Sequence, residues 1–419
     1  MRRIVGLSAA VLAFQSVAGV FDVRAFGAKG DGIANDTAAI QRAIDAAGAS
    51  GGGEVFFDSG TYYSGTVYLK DNIDFHLGAG ATLLGSTNVV DYNRGDFCPQ
   101  NWTSKRESEN QMGGHLVIAR GCRNIVLRGP GRIDGHAKFF AVDAQGRGYP
   151  RQCDIPWRPG QMVYLTECSD VRLIDLELVN APYWNCFLHG CDRVVARGLR
   201  IHSLREPYSH NGDGLDIDSC RYVTVSDCNI HTSDDSIAIR ADSARLPHPQ
   251  DCAFVTVANC NLSSTKCAIR IGVGCGFIHD VVVTGVTIGD SRTALSFCPN
   301  WTKNGGSVGI ENVRFSNIAV DCMSFCRMIT RYAKDVSLKG LYFDGISGKT
   351  TEPAYLYGRA SCPIENVVFR NVDVPMGVET YNVKGLRIEG GTLRHLELTP
   401  EREAELRRME GEPNNYPHT

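Results

Sequence analysis

Five aspartates cluster in one short segment of the chain, between runs of β-branched residues. The segment reads NGDGLDIDSCRYVTVSDCNIHTSDDSIAIR from Asn211 to Arg240, and it contains Asp213, Asp216, Asp218, Asp234 and Asp235. Carboxylates held close together repel one another when ionised, a cost that a fold seldom accepts without a metal, a shared proton or catalysis. The residue types and their spacing therefore predict a functional site in this segment.

The apolar residues beside these aspartates predict how they are positioned. Leu215 and Ile217 alternate with aspartates, and a second alternating run begins at Ile237, so each run is typical of a half-buried strand. If the second strand stacks in register on the first, the offset that places Ile237 beside Leu215 also places Asp235 beside Asp213. Neighbouring parallel strands lie about 4.8 Å apart, so this pair would be close.

The same strand-like pattern recurs along most of the chain, from about residue 117 to residue 398. It is visible in VRLIDLELVNA, VVARGLRIHSL, VTVSDCNIHTS and VTVANCNLSST, and it returns roughly every 20 to 35 residues, the period of solenoid proteins. No helical pattern separates the strands, the Leu/Asn frame of leucine-rich repeats is absent, and propeller blades would be longer. The sequence therefore predicts an all-β protein, a right-handed parallel β-helix with a buried column of Val, Ile, Leu and Cys.

The region before the repeats predicts a capping helix for such a solenoid. Asp36 is expected as the N-cap of a helix over 37–47, in which Ile40, Ala43, Ile44 and Ala47 form one apolar stripe. Strands are expected over 54–57, 63–69, 73–77 and 81–84, long loops over 88–114 and 137–158, and a short helix from Thr399.

Cysteines mark the repeats. Cys122, Cys168, Cys191, Cys220 and Cys252 each stand just before a strand-like run. We expect a column of small buried thiols, because free cysteine is among the most buried residue types. Some pairs could be bridged, but sequence alone assigns no disulfide.

The N-terminus and the composition predict an exported protein. Residues 1–18 combine two arginines, an apolar run and a small-residue site, the anatomy of a secretory signal peptide. A single β-helix catalytic domain is expected over 19–398, followed by a short helix and tail over 399–419, in a secreted or periplasmic protein. The net charge of -3 gives no general attraction to nucleic acid or to anionic membranes. We expect a monomer with no cofactor and no metal.

Several motifs together resemble one known family. The opening FDVRAFGAKGDGIANDTAAIQRAIDAA, the Asn-Gly-Asp-Gly at 211–214, the Asp-Asp at 234–235 and the repeats are similar to the polygalacturonases, glycoside hydrolase family 28. The resemblance implies inverting hydrolysis of α-glycosidic bonds in pectin, with Asp234 as general acid and with Asp213 and Asp235 holding the attacking water. Inversion requires the acid and base carboxyls to stand roughly 6.5 to 9.5 Å apart.

The chain departs from that family at two motifs. The family's Gly-His-Gly would fall at Lys266-Cys267-Ala268, and its Arg-Ile-Lys, whose cations bind a galacturonate carboxylate, would fall near residues 296–298, where no cation is present. We therefore expect the carboxylate-binding role to have moved to Arg240 and Arg270, which share an outward parity with Asp216. The further substrate-binding candidates are Asn211, Asp216, Lys266, His210 and Tyr208.

Simpler interpretations compete for some of these residues. Asp218 is expected to be a solvated outward side chain, and Trp184 is as well explained by packing as by stacking on a sugar. Arg240 and Arg270 could merely pair with neighbouring carboxylates.

Two other classes of protein share these features. A β-helix polysaccharide lyase would use calcium bound by clustered aspartates, with an arginine or lysine as base. A non-catalytic carbohydrate-binding β-helix is the second alternative, although it has no need of stacked carboxylates.

Overall fold

Parallel strands stacked in three columns make up the molecule. The computed structural model describes residues 19–93, 114–148, 155–203, 211–299, 306–330, 333 and 336–410. All strand ladders in these ranges are parallel, and the central turns of the chain each add a strand to three sheets, which we call A, B and C. The fold is the right-handed parallel β-helix that the repeats predict.

Each of the three sheets is a stack of short strands. Sheet A contains Gly19–Asp22, Gly53–Phe57, Ile73–Leu77, Arg123–Arg128, Ser169–Ile174, Asp192–Arg197, Arg221–Ser226, Cys252–Ala258, Ile364–Asp373, Val383–Lys384 and Arg387–Gly391. Sheet B contains Asp31–Asn35, Gly60–Ser64, Ala81–Gly85, Arg132–Asp134, Glu177–Val179, Arg200–His202, Asn229–Thr232 and Asn261–Ser264. Sheet C contains Val67–Tyr68, Val117–Arg120, Val163–Thr166, Cys186–His189, Leu215–Asp218, Ile237–Ala241, Cys267–Gly274, Ala354–Tyr357, Val378–Tyr381 and His395–Leu396. Three further long strands bend through more than one sheet, Phe277–Cys298, Gly309–Ile329 and Leu338–Thr350, and Ile364–Asp373 likewise continues from sheet A into sheet B.

Apolar side chains stacked in register form the core. In sheet C, Leu188, Ile217, Ile239 and Ile271 are register partners on four successive strands, and all are buried. Each fully buried side chain of this kind stabilises the fold by about 1.5 to 3 kcal/mol. A one-residue slip would turn the whole column outward, so the burial of one face fixes the register of the outward residues as well.

Helix α1, Thr37–Ala49, covers the N-terminal end of the core. The four residues of its predicted apolar stripe are completely buried, which confirms the capping helix. Asp36 holds the N-cap position, but its carboxylate does not cap the helix. It accepts hydrogen bonds from the backbone N–H groups of Lys29 and Gly30 instead, so it fixes the preceding loop.

Two expected segments differ from the prediction. The strand expected over 63–69 is divided between Gly60–Ser64 and Val67–Tyr68. At Gly65 between them, a Cβ would lie 2.0 Å from the carbonyl oxygen of Asp91, so this close approach requires glycine. The long loop expected over 137–158 begins instead with helix α2, Ala137–Ala141.

Helix α3, Pro400–Glu410, follows the last strand, close to the start predicted for it. The Arg402 guanidinium lies over the Tyr357 ring, 5.3 Å from its centroid, and Arg359 donates a 2.7 Å hydrogen bond to the Glu410 carbonyl. These contacts fasten α3 to the C-terminal turns of the solenoid.

The repeat cysteines lie where their spacing predicts. Those that the structure describes are all free thiols, and most are buried. The Cys191 backbone N–H donates to the Cys220 sulfur at 3.3 Å, so thiols stack from turn to turn at the start of sheet A strands. The expected signal peptide, residues 1–18, lies outside the described residues. Within the described ranges, no helix is both long enough and apolar enough to cross a membrane.

Candidate active site

The paired strands Leu215–Asp218 and Ile237–Ala241 position the carboxylates. Their register joins Leu215 to Ile237, as the sequence predicts. One residue earlier, the Gly214 N–H donates a 2.9 Å hydrogen bond to the Asp235 carbonyl, so the ladder continues to the aspartates. Asp213 and Asp235 therefore lie side by side on neighbouring turns.

Asp213 and Asp235 are both buried, with 4% and 2% of their surface exposed. Burial raises the pKa of Asp213 well above its usual range, and the charges of Asp216, Asp234 and Asp235 raise it further. Burial also raises the pKa of Asp235, to about 7, against the attraction of the Arg270 guanidinium. The structure thus brings Asp213, Asp216, Asp234 and Asp235 within electrostatic reach of one another, and Asp218 within reach of Asp216. Burial and like charge together disfavour ionisation of Asp213 and Asp235 at the same time.

Arg270 and Arg240 neutralise this cluster from two sides. Arg270 Nε lies 2.8 Å from a carboxylate oxygen of Asp235. Arg240 Nε lies 3.0 Å from Asp218, and its Nη1 lies 3.7 Å from Asp216. Both arginines share the face of Asp216, as expected, but both are engaged by protein carboxylates.

The expectation that Asp218 is solvated is wrong. Its side chain is completely buried and accepts hydrogen bonds from the Ser219 hydroxyl and from the Asp242 backbone N–H, as well as from Arg240. The alternation along the strand predicts that the Asp218 side chain points away from the core, which is correct. Arg240 and Asp242, however, lie over that outward position and bury it. Asp218 therefore anchors Arg240, which in turn faces Asp216.

Trp184 is a packing residue. Its ring is 1% exposed and stacks on Tyr183 at 5.3 Å between centroids. The Arg240 guanidinium lies over it, 4.6 Å from the ring centroid. Trp184 thus helps to hold Arg240 and offers no open face to a sugar.

Asn211 is positioned by a residue that the sequence did not single out. Arg158 is almost fully buried, donates from Nη2 to the Asn211 side-chain oxygen at 3.1 Å, and donates from Nη1 to the Pro182 carbonyl at 2.7 Å. Its guanidinium also lies 4.6 Å from the Tyr183 ring centroid. Arg158 falls in a stretch without periodicity, so no sequence signal pointed to it.

Asn185 also supports the cluster and was not predicted. Its side-chain amide donates to the Asp213 carbonyl at 2.8 Å and to the Ser203 hydroxyl at 2.9 Å. Both bonds are buried, so they fix the backbone that carries the Asp213 carboxyl. The only sequence signal was its place directly before a sheet C strand.

Fewer contacts are described for the remaining substrate-binding candidates. Lys266 is half-buried at the turn before Cys267–Gly274, and its backbone N–H donates to the Ser264 hydroxyl. Tyr208 and His210 lie outside the described residues. Among the residues that the structure does describe, no three His, Cys, Asp or Glu side chains are grouped so as to hold a metal ion.

The fold is a parallel β-helix with a cluster of buried carboxyls on one sheet, and comparison with known proteins gives its family. Residues 100–392 match the model of the glycosyl hydrolases family 28, and residues 20–153 match a model described as rhamnogalacturonase A/epimerase, pectate lyase-like. The first match covers more than half of the chain, so the chain belongs to glycosyl hydrolases family 28.

Individual relatives are distant. A probable polygalacturonase from Vitis vinifera is 25% identical over 230 residues, which is 52% of this chain and 43% of that protein. Among solved structures, a hyperthermoactive exopolygalacturonase from Thermotoga maritima has a TM-score of 0.68 at 19% identity, with 90% of each chain covered. An endo-xylogalacturonan hydrolase from Aspergillus tubingensis has a TM-score of 0.61 at 20% identity, with 92% of this chain and 97% of that chain covered. The chain spans less than half the length of the first curated relatives that it matches, and the structural likenesses show the fold.

Proposed function

We propose that this protein hydrolyses α-glycosidic bonds in pectic polysaccharide or its fragments, with inversion of configuration. The observation that carries the proposal is the buried pair Asp213 and Asp235 on neighbouring turns, with Asp234 beside them. Membership of glycosyl hydrolases family 28 and relatives that are named as polygalacturonases support the substrate class. A non-catalytic β-helix would gain nothing from burying these carboxyls together.

The three aspartates are assigned different roles. Asp234, which is half-buried and therefore open to a ligand, is the general acid that protonates the leaving oxygen. Asp213 and Asp235 hold the attacking water and accept its proton. Arg270 favours the ionised form of Asp235, which the reaction needs, because its positive charge lowers the pKa of that carboxyl.

The surrounding side chains are assigned to substrate binding and orientation. Asn211, held by Arg158, and Lys266 border the cluster on the loops that precede sheet C strands. Asp216, which lies 3.7 Å from Arg240, is assigned to orienting that arginine and to binding the sugar. His210 and Tyr208 are proposed as further sugar contacts.

Export completes the proposal, because pectic polysaccharide lies outside the cell. Residues 1–18 would then be a signal peptide, 19–398 one catalytic domain and 399–419 a terminal helix and tail. The active form is proposed to be a monomer without a cofactor.

A panel of pectic fragments tests the proposed function. Homogalacturonan, rhamnogalacturonan and branched side-chain fragments are incubated with the protein and with Asp234→Asn, and the products are analysed for new reducing ends. We expect saturated products from at least one fragment, no loss of activity in EDTA, and a turnover at least about 100-fold lower in the variant. An unsaturated product absorbing in the ultraviolet, with loss of activity in EDTA, would identify a lyase instead.

A further inference from the structure

A continuous line of outward side chains runs along sheet C through the carboxylate cluster. We call it the outer column and define it by register partners on successive strands: Phe187, Asp216, Ala238, Arg270, Ser296, Arg327, Tyr355 and Glu379. One side of Asp216 is closed by a buried aromatic cluster that includes Phe187 and Trp184. A polymer bound at the carboxylates can therefore extend along the column in the other direction, towards Arg327.

The arginines in and beside the outer column differ in whether a carboxylate neutralises their charge. Arg270 is paired with Asp235 at 2.8 Å, and nearby Arg240 is paired with Asp216 and Asp218. Arg327 has no ion pair with a carboxylate anywhere in the described parts of the chain, and its buried Nε has no hydrogen-bond partner there. Its positive charge is therefore available to a ligand.

Arg327 is nevertheless held in place. Its guanidinium lies over the Tyr355 ring, 5.4 Å from the ring centroid, a cation–π contact that restricts the side chain without using its hydrogen-bond donors. Ser296 on the preceding strand is small and buried, so no long side chain separates Arg327 from Arg270. A fixed planar fork with free donors matches the geometry of a carboxylate.

Charges of both signs lie near Arg327. Burial raises the pKa of Tyr355, while the positive charges of Arg327 and Arg292 lower it and the negative charge of Glu352 raises it. Arg292 is exposed, so it adds a second cation at this end of the column. Glu379, the next residue of the outer column, accepts a hydrogen bond from the Tyr357 hydroxyl, so its carboxylate is directed towards Tyr357.

We propose that Arg327, supported by Tyr355 and with Arg292 beside it, binds the carboxylate of a uronic-acid residue of the substrate. Three strand spacings of about 4.8 Å separate the turn of Asp235 from that of Arg327, so the sugar it binds is not the one that reacts but one further along the polymer. The assignment rests on the proposed function. It also replaces the expectation that Arg240 and Arg270 bind this carboxylate, because protein carboxylates already occupy both.

The test compares Arg327→Gln with a matched control, Arg314→Gln. Arg314 lies on the same long strand, Gly309–Ile329, and stacks on Tyr342 in the same way, 4.3 Å from its ring centroid, but it belongs to the exposed face of sheet A. Titration calorimetry on an Asp234→Asn background measures the affinity for a linear galacturonate oligomer and for its carboxyl-reduced counterpart. We expect Arg327→Gln to weaken binding of the acidic oligomer by about 10- to 100-fold and to leave the reduced oligomer unchanged, while Arg314→Gln changes neither.

Binding and turnover separate the two proposals. The uronate site is wrong if the acidic oligomer does not bind to the Asp234→Asn protein, or if it binds equally tightly with and without Arg327→Gln. It is also wrong if Arg327→Gln weakens binding of the acidic and of the reduced oligomer to the same extent. If the wild-type protein cleaves no pectic fragment, the proposed function fails, while calorimetry still decides whether Arg327 binds a uronate. Equal thermal unfolding midpoints for both variants show that neither substitution acts through folding.

Discussion

At the scale of single residues, Asp235 is controlled by opposing influences. Burial raises its pKa, the guanidinium of Arg270 lowers it, and the charge of Asp234 raises it again, with a result of about 7. A carboxyl with such a pKa can exchange a proton with its neighbour Asp213 near neutral pH. The ion pair between Arg270 and Asp235 therefore lowers the pH at which Asp235 becomes ionised.

Replacing Arg270 by Gln is predicted to shift the pH profile of the reaction. Removal of the positive charge raises the pKa of Asp235, so ionisation of the pair requires a higher pH. The acidic limb of kcat/KM should therefore move upward by about one pH unit or more, as measured with a pectic fragment between pH 4 and pH 10. A uniform fall of kcat/KM at every pH, with the limb unmoved, would instead make Arg270 a substrate-binding residue only.

The pair itself is predicted to act as one unit. Asp213→Asn and Asp235→Asn should each lower kcat by about 100-fold or more, and the double variant should be little worse than either single one, because both carboxyls act on the same water. Asp321→Asn, at a largely exposed position, serves as the control and should keep full activity. Losses that multiply in the double variant would show that the two carboxyls have independent roles.

At the scale of elements, helix α1 covers the end of the apolar core, as each turn of strands covers the core of the turn before it. The strands of each turn cover the apolar columns of the turn before, but the first turn has no predecessor. Helix α1 supplies the missing cover with Ile40 and Ile44, both completely buried. Solenoids need such a cap because their end turns would otherwise expose the core.

Ile44→Ala is predicted to destabilise the whole solenoid from its end. The lost burial and the cavity left behind should lower the free energy of unfolding by about 2 to 5 kcal/mol, as measured by urea denaturation. Asp45→Ala, on the exposed side of the same helix, removes a surface ion pair with Lys70 and a surface hydrogen bond from Gln41, and should cost about 1 kcal/mol or less. Equal effects of the two substitutions would contradict the capping role of α1.

At the scale of the whole molecule, the regular part of the structure could be predicted and the irregular part could not. The register of Leu215 with Ile237 follows from period-two burial on stacked strands, and it carries Asp213 to Asp235 without further information. The burial of Asp218 does not follow from parity, because it depends on Arg240 and on the backbone after it.

Arg158 likewise could not be predicted from the sequence. It reaches Asn211 from a segment far away in sequence that has no repeat pattern, so only the folded chain brings the two together. Arg327 was hidden for a related reason: its sequence neighbourhood resembles every other turn, and only the register with Ser296 and Tyr355 shows that it continues the column from Arg270.

If this carboxylate cluster cleaves α-glycosidic bonds by inversion, the anomeric configuration of the first product will show it. Proton NMR is recorded from the first minutes of the reaction on the best-cleaved pectic fragment, before mutarotation equilibrates the anomers, with Asp234→Asn as the inactive control. We expect the β-anomer to appear first and the α-anomer to follow only by mutarotation. First appearance of the α-anomer, or an unsaturated product in its place, would contradict it.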